Sequence, residues 1–465
     1  MPVSLDKVQI NHAASIEEAF RRLNDSQMGV LFVVSDSQEV IGCVTDGDIR
    51  RLLLLNNNLS EEISGAMNTS FVWAKVGAPR EQILKLLDHR VRVVPLLAQD
   101  RRLVQVCSRE DFHLQDEVDV FARARAPARI SFCGGGTDLT HHFFDQGGVV
   151  ISATITKYAH ATLRRRLDDR IRIYSHDLNQ TLEVPSLGEL KLGGDLDLLK
   201  SIIALIKPRY GFELEVSTDF PLGSGLGGSA ALAVAIIGCF NEFREDAWTR
   251  HQIAEMAFQA ERLILNIAGG WQDQYAAAFG GLNYMEFSAH ENLIVPLRME
   301  DRTLRELEAS TLLCYTRKTH HSGHIHADQK ARMQGSSSEL EAATRRQKEI
   351  TLEMKRLLLR GDVYGYGALL DETWQIKKRY SALISDADLD RVYDHAMNNG
   401  AVGGKILGAG GGGYFMFFVR PFERFRLCNA LRALDYECES VSLDGVGLQS
   451  WKMRLPDSAL FRPDR

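Results

Sequence analysis

Residues 221–231 read Pro221-Leu-Gly-Ser-Gly-Leu-Gly-Gly-Ser-Ala-Ala231 and run straight into the apolar segment Ala230–Phe240. A glycine-rich loop opening a helix is a ready anion site. Glycine lets the backbone approach a ligand and take positive φ. The free N–H groups at the positive end of the helix dipole then face that ligand. The loop predicts a nucleotide or another phosphorylated ligand. Gly223-x-Gly225-x-x-Gly228 satisfies the formal dinucleotide pattern, which requires its first glycine immediately after a parallel strand. Here the strand predicted over Phe212–Ser217 is followed by Thr-Asp-Phe-Pro221, and proline gives an extended entry instead of a tight turn. A Walker loop fails as well, because no lysine precedes Ser229. Backbone N–H groups and a hydroxyl are left to hold the phosphates.

The chain has 465 residues, which at ~150 residues per domain predicts three domains. Its 45% apolar and 25% charged residues are those of a soluble globular protein. A net charge of −6 excludes a global pull toward nucleic acid or an anionic membrane. Seven scattered cysteines (43, 107, 133, 239, 314, 428 and 438), without a C-x-x-C pair, read as reduced thiols of a cytoplasmic protein. No signal peptide is expected from MPVSLDKVQINHAAS. The apolar run Ala230–Phe240 is far short of the ~20 residues of a membrane span.

Near the N-terminus two segments align without a gap, Val30-LFVVSDSQEVIGCVTDG-Asp48 over Val93-VPLLAQDRRLVQVCSRE-Asp111. Each reads as strand, polar turn, strand and acidic exit. Each follows an amphipathic helix, Ser15–Asn24 or Pro79–Asp88. Two such units can bury their sheets against one another. Residues 1–116 resemble a tandem pair of CBS domains, and the segment GCVTDGDIRRLL carries much of that likeness. The resemblance implies an adenine nucleotide held by Thr45 and Asp48, and in the second copy by Ser108 and Asp111. The second copy departs, with Gln105 at the place of Gly42 and Arg109-Glu110 at that of Asp46-Gly47. The alternative is structural: Asp48 caps the helix Ile49–Leu55.

A new unit begins near residue 120. A strand is predicted around Arg125–Phe132, broken by Gly134-Gly-Gly136 and followed by Thr137-Asp138. Read alone, Asp138 is equally a helix cap and Arg129 a solvated strand residue. P-x-G-x-G-L-G-x-S-A-A before an apolar helix resembles the second motif of the GHMP kinases, however, and the other motifs stand in order. The first runs from Arg125-Ala-Pro-Ala-Arg129 through Gly134-Gly-Gly-Thr-Asp138, and the third is Lys405-Ile-Leu-Gly-Ala-Gly-Gly-Gly-Gly413. Gly269-Gly-Trp-Gln-Asp-Gln-Tyr275 with Phe279-Gly-Gly281 resembles the catalytic segment of the sugar-kinase branch. RISFCGGGTDL, GGVVISATITKY and GGWQDQYAAAFGGLN resemble the heptose 7-phosphate kinases within it, with fucokinases beside them.

The resemblance implies an α+β protein. A two-lobed GHMP fold, with a ribosomal S5-like lobe over 120–300 and a ferredoxin-like lobe over 301–465, follows the CBS pair. It implies ATP and Mg²⁺ as cofactors. The nucleotide loop then comprises Pro221, Gly223, Ser224, Gly225, Leu226, Gly227, Gly228, Ser229 and Ala230. Gly228 stands where the family has a first serine or threonine, so Ser229 is the remaining hydroxyl for the metal. Glu261, placed on a helix expected over Trp248–Ile267, is the implied metal carboxylate; on its own it reads as a surface glutamate. Asp273 is the implied base and Arg129 the cation beside it. Gly136, Thr137, Asp138, Gly410 and Gly411 face the sugar, the last two in a glycine loop expected between helix and strand. A structural turn is the other reading of Gly408–Gly413.

Tyr315-Thr-Arg-Lys-Thr-His-His-Ser322 resembles the family segment YTG-x-x-R-x-x-S, with Arg317 in place of its glycine and His320 in place of its arginine. Cationic groups for a phosphorylated sugar come from Arg164–Arg166, Lys318, His320, His321, His141 and His142. The expected activity is transfer to the anomeric hydroxyl of a sugar, D-glycero-D-manno-heptose 7-phosphate first, for nucleotide-activated sugar synthesis. A hexose or deoxyhexose acceptor is the alternative. A catalytically weak nucleotide or sugar sensor is the alternative of another class, opposed by the presence of Glu261 and Asp273. The implied partners are a sugar or sugar phosphate, an adenine nucleotide at the CBS pair and a second copy in a homodimer, with no nucleic acid and no membrane.

Overall fold

The computed structural model describes residues 5–26, 28–88, 91–108, 120–318, 322–334 and 338–454. The chain divides into two compact units, Met1–Asp116 and Glu117–Arg465.

The first unit contains β1 (Gln9–Asn11), α1 (Ile16–Ser26), β2 (Val30–Val34), β3 (Val40–Thr45) and α2 (Asp46–Asn56). It continues with β4 (Ala74–Lys75), α3 (Arg80–Leu86), β5 (Val93–Leu97) and β6 (Leu103–Ser108). The two sheets have orders β1-β2-β3 and β4-β5-β6, each with a parallel pair followed by an antiparallel hairpin. The internal repeat extends to backbone detail. A register shift falls between Val33 and Val34 and again between Leu96 and Leu97. Both hairpins turn through one left-handed residue, Gln38 at φ 68° and Arg101 at φ 59°. The sheets share a core of Phe32, Val34, Val40, Leu97 and Leu103. A half-exposed sheet must bury its apolar face, and here the repeat supplies the cover.

The second unit is built on two long strands, β7 (Val120–Cys133) and β8 (Gly148–Arg165), with the short α4 (Thr140–Gln146) between them. Pro127, which lacks an N–H to donate, sits at a register shift between Pro127 and Arg129. Next come β9 (Ile171–Ser175), β10 (Gln180–Val184), α5 (Asp197–Ile206), β11 (Phe212–Thr218), α6 (Gly228–Asn241) and α7 (Arg250–Phe258). α8 (Gln272–Phe279), β12 (Leu282–Phe287) and β13 (Asn292–Pro296) follow. Among the described residues the sheet order is β10-β9-β11-β8-β12-β13, with β7 also on β8. α6 is apolar all round and buried along nearly its whole length, as a central helix must be. α5, α7 and α8 share its core.

The rest comprises α9 (Asp301–Ser310), β14 (Thr311–Tyr315), α10 (Ser322–Gln334), α11 (Ser338–Arg360), α12 (Val363–Tyr380) and α13 (Ala387–Asn398). β15 (Ala401–Ile406), β16 (Tyr414–Val419), α14 (Arg424–Arg432), β17 (Cys438–Ser440) and β18 (Gln449–Arg454) complete it. The second sheet is antiparallel, in the order β15-β16-β14-β17. Its core holds Trp374, Tyr366, Phe415 and Phe417, and Ile130 and Phe132 of β7 join them. The two lobes therefore share apolar surface through β7.

Three expectations change. The glycine loop after Ile406 joins two antiparallel strands, β15 and β16, so a strand and not a helix runs directly into it. The helix expected over Trp248–Ile267 is α7 followed by a π turn, Gln259–Ile264. The extra residue per turn re-aims the side chains after Phe258, a device found at functional sites. β18 returns to pair with β7, so the C-terminal segment does not stay in its own lobe. Among the described residues no helix is long and apolar enough to cross a membrane.

Candidate active site

The loop at 221–228 folds as its glycines require. Gly223, Gly225 and Gly227 take φ of 72°, 81° and 73°, a region L side chains rarely enter. Gly227 is the N-cap of α6 and offers no side-chain cap. The first-turn N–H groups of a helix have no partner within it, so this opening is an anion cradle. Leu226 and Ala230 are buried, and the Leu226 carbonyl accepts from the Arg129 amide at 2.9 Å. Ser224 is buried too, its carbonyl accepting from the Tyr414 amide at 3.0 Å. These three residues anchor the loop, while Pro221, Gly223 and Ser229 lie at its exposed rim. A Cβ on Gly228 would lie 2.6 Å from Phe220 Cε2. The absent hydroxyl at 228 thus has a steric cause: an aromatic ring occupies its space.

Arg129 enters from β7 and Asp273 from the first turn of α8. Arg129 Nε donates to Asp273 Oδ1 at 2.7 Å and Nη2 donates to Oδ2 at 2.8 Å. Nη1 donates to the Gly225 carbonyl at 2.6 Å. The Arg129 side chain is 5% exposed and that of Asp273 is 18% exposed, so the carboxylate is the partner with access to the cleft. A bidentate pair of this kind fixes both planes.

Asp138 is 2% exposed, and its carboxylate accepts from Gly136 N at 3.0 Å, Gln272 N at 3.2 Å and Gln272 Nε2 at 3.1 Å. Burial and then the Asp273 charge push its carboxyl above the usual range, while those donors pull it back. It is not a helix cap, since the N-cap of α4 is Leu139. Gly270 makes room for it, because a Cβ there would lie 1.9 Å from Asp138 Oδ2. Thr137 turns away. Its hydroxyl is buried against the carbonyls of Gly134 and Val149 and accepts from Val149 N, so it shapes the turn instead of facing the cleft.

Glu261 is 1% exposed and not a surface residue. The π turn brings it to the mouth of the glycine loop, where Ser229 Oγ donates to Oε1 and Gln274 Nε2 donates to Oε2 at 2.5 Å. One carboxylate and one hydroxyl beside an anion cradle fit a magnesium nucleotide, which takes few protein ligands and several phosphate and water oxygens.

The second glycine loop closes the first by backbone contact. Cβ atoms on Gly225, Gly408 and Gly413 would lie 2.6 Å from Leu407 O, 2.7 Å from Gly225 Cα and 2.4 Å from Ser224 O. Gly410 packs on Ile384, and the Gly411 amide donates to its carbonyl at 2.8 Å. These two brace the wall through backbone contacts.

Two lysines of this wall were given no role from sequence. Lys377 Nζ donates to the carbonyls of Ile406 at 2.9 Å and Gly408 at 2.6 Å. Withdrawal from water, then the charges of Lys405 and Arg129, hold it well below the usual lysine range. Lys405 is buried, donates to Phe132 O at 3.2 Å, and is lowered to about 8, mainly by burial. Lys377 sits in a helix whose pattern shows no signal for it. Lys405 lay within a quoted motif.

Arg317, at the family's glycine position, keeps the left-handed backbone with φ 56°. The other cationic candidates are largely spoken for. Arg164 and Arg166 pair with Glu213, Arg165 stacks on Tyr210, and Lys318 pairs with Asp386 and Asp388. His142 is 9% exposed, and burial first, then Lys348 and His141, push it down to about 4. It is therefore neutral near pH 7. His320 and His321 lie outside the described residues, as does Asp111. In the first unit Thr45 and Asp48 form a capping box at the start of α2, and Asp48 also meets Arg51. Ser108 ends β6.

The clash at residue 228 predicts that Gly228→Ser destabilises the protein by about 1–3 kcal/mol. The penalty should shrink in a Phe220→Ala background; additive effects in a urea double-mutant cycle would refute the steric account. For His142, the unfolded imidazole binds a proton near 6.5 and the native one near 4. Stability is then complete above the unfolded value and falls as the pH drops through this window. Urea midpoints at pH 7 and pH 5 should differ more for the natural chain than for His142→Leu.

Comparison with known proteins agrees with this geometry. The family model described as GHMP kinases N terminal domain matches residues 197–281, and the CBS domain model matches residues 4–55. A D-glycero-alpha-D-manno-heptose 7-phosphate kinase of Campylobacter jejuni is 38% identical over 337 residues, covering 71% of this chain and 99% of the relative. The crystal structure of a D-glycero-D-manno-heptose 1-phosphate kinase from Bacteroides thetaiotaomicron superposes with a TM-score of 0.60 at 29% identity, over 72% of this chain and all of that one. Lactococcus lactis galactokinase, complexed with galactose, shares the fold at a TM-score of 0.57 and 20% identity, over 72% of this chain and 95% of its own. With its glycine loop, Arg129–Asp273 pair and Asp138, this chain belongs to the GHMP kinases, in their sugar-kinase branch, and carries a CBS domain at its N-terminus.

Proposed function

We propose that this sugar kinase uses ATP and Mg²⁺ to phosphorylate the anomeric hydroxyl of a sugar, with D-glycero-D-manno-heptose 7-phosphate as its acceptor. The observation that carries the reading is the Arg129–Asp273 pair set between the glycine loop and Asp138. The acceptor follows from the Campylobacter jejuni relative, which is matched over almost its full length.

When bound, the magnesium nucleotide would supply the phosphoryl group and positive charge to offset that of the phosphates. Gly225, Gly227, Gly228 and Ser229 would hold its phosphates through backbone N–H groups, and Ser229 with Glu261 would hold the metal. Phosphoryl transfer asks a protein chiefly for alignment and positive charge. Asp273 orients the sugar hydroxyl and accepts its proton. A carboxylate has about four lone-pair sites, so two remain after Arg129 has used its two. Arg129, tied to the Gly225 carbonyl, holds positive charge at the mouth of the loop. Asp138 binds hydroxyls of the sugar, and the wall of Gly410 and Gly411 excludes water behind it.

Asp273→Asn should lower turnover by about 10²–10⁴-fold in a coupled ADP assay while ATP affinity stays within a factor of two. Undiminished turnover would remove Asp273 as base. If the natural chain consumed no ATP with any heptose phosphate, heptose or hexose, the kinase reading would fail.

In the first unit the reading is an adenine nucleotide at Thr45 and Asp48, with Ser108 and Asp111 as the second place, and pairing of CBS units into a homodimer. It is supported by the repeated sheet architecture. AMP titrated calorimetrically onto the full chain should release heat that Asp48→Asn abolishes; no heat with the natural chain would dismiss the site.

A further inference from the structure

Two polar side chains beside the catalytic pair have work left over. Ser131 is 5% exposed and Gln272 is 7% exposed, yet among the described residues Ser131 Oγ and Gln272 Oε1 have no hydrogen-bond partner. Buried polar atoms are nearly always paired, and an orphan marks a place where something else completes the bond. Their neighbours are turned to other partners. The Asp138 carboxylate takes three N–H bonds, three of the five Arg129 N–H groups go to Asp273 and Gly225, and the Thr137 hydroxyl is closed into its turn.

Both side chains flank Gly135. A Cβ added there would lie 3.6 Å from Gln272 Nε2, the amide nitrogen beside the orphaned Oε1, and 3.7 Å from Ser131 Oγ. Gly135 carries none, and both it and Gly136 are partly open to solvent. Gln272 directly precedes Asp273 on α8, and Ser131 lies two residues beyond Arg129, on the same face of β7. The opening at Gly135 therefore adjoins the groups that handle the reacting hydroxyl.

We propose that Ser131 and Gln272 are specificity-determining residues of the acceptor site. The Gln272 carbonyl oxygen accepts from one ring hydroxyl of the sugar, and Ser131 Oγ pairs with a second. Gln272 Nε2 keeps Asp138 in place for a third. An amide oxygen can only accept, so a sugar lacking that hydroxyl leaves it unpaired, and a site built on buried polar groups rejects such a substrate strongly. This rests on the sugar-kinase reading above and assigns the contacts that choose among sugars.

The test is steady-state kinetics of Ser131→Ala and Gln272→Met with heptose 7-phosphate and with analogues each lacking one ring hydroxyl. Each variant should raise the sugar KM about tenfold, the size of one lost buried hydrogen bond. The KM for ATP should stay within a factor of two. For each variant one analogue should show no further loss, because the hydroxyl it lacks is the one the variant no longer holds. An equal loss on every sugar would assign both residues a structural role and overturn the proposal, as would an unchanged sugar KM. No turnover of any sugar by the natural chain would instead sink the kinase reading itself.

Discussion

The site hangs on one guanidinium. Arg129 is almost wholly buried, and three of its donors tie three elements together: β7 that bears it, α8 through Asp273, and the glycine loop through the Gly225 carbonyl. Burying charge is costly, and attraction offsets the cost only when geometry is good and the remaining donors are satisfied. The geometry is good here: two parallel bonds reach the Asp273 carboxylate and a third reaches a carbonyl. The same argument explains Asp138, a second buried carboxylate near Asp273, which is tolerated because three N–H groups point at it and its carboxyl is held above the usual range. The centre is polar and held by paired charges, which suits phosphoryl transfer.

Around that centre the structure relies on missing side chains. The two glycine loops approach backbone to backbone, closer than any Cβ permits at Gly225, Gly408 and Gly413. Lys377 holds the second loop from behind through two carbonyls. Gly270 yields its space to the Asp138 carboxylate, and Gly228 yields its space to Phe220. The glycines of the motifs thus serve two ends: some give the loop its left-handed turns, and others admit the protein itself.

Much of this could be read before folding. The repeat at 30–48 and 93–111 announced two like sheets, because hairpin geometry is local and its left-handed turn residues recur at matching places. The helix after the glycine loop was plain from its apolar run. Of the residues brought to the centre, Arg129, Asp138 and Asp273 were named from motifs, and Glu261 from its place in the family resemblance. Their burial was not legible, and Glu261 by itself looked like a surface residue. Thr137, equally prominent in its motif, turned inward to stabilise a turn. Phe220 stood one residue from the loop, yet nothing local showed that its ring fills the space at 228.

What the sequence alone determined was periodic or local: strand alternation, the repeat, the helix start at a glycine run, and the order of the motifs. Only the tertiary structure decided which polar groups meet. The π turn at 259–264 aims Glu261 at Ser229, and α12 brings Lys377 to a loop some thirty residues away. The return of β18 to β7 joins residues more than three hundred apart. The physical reason is common to all of these. Propensity and periodicity act over a few residues, whereas the pairing of a buried charge or donor is settled by whichever elements the core packs around it.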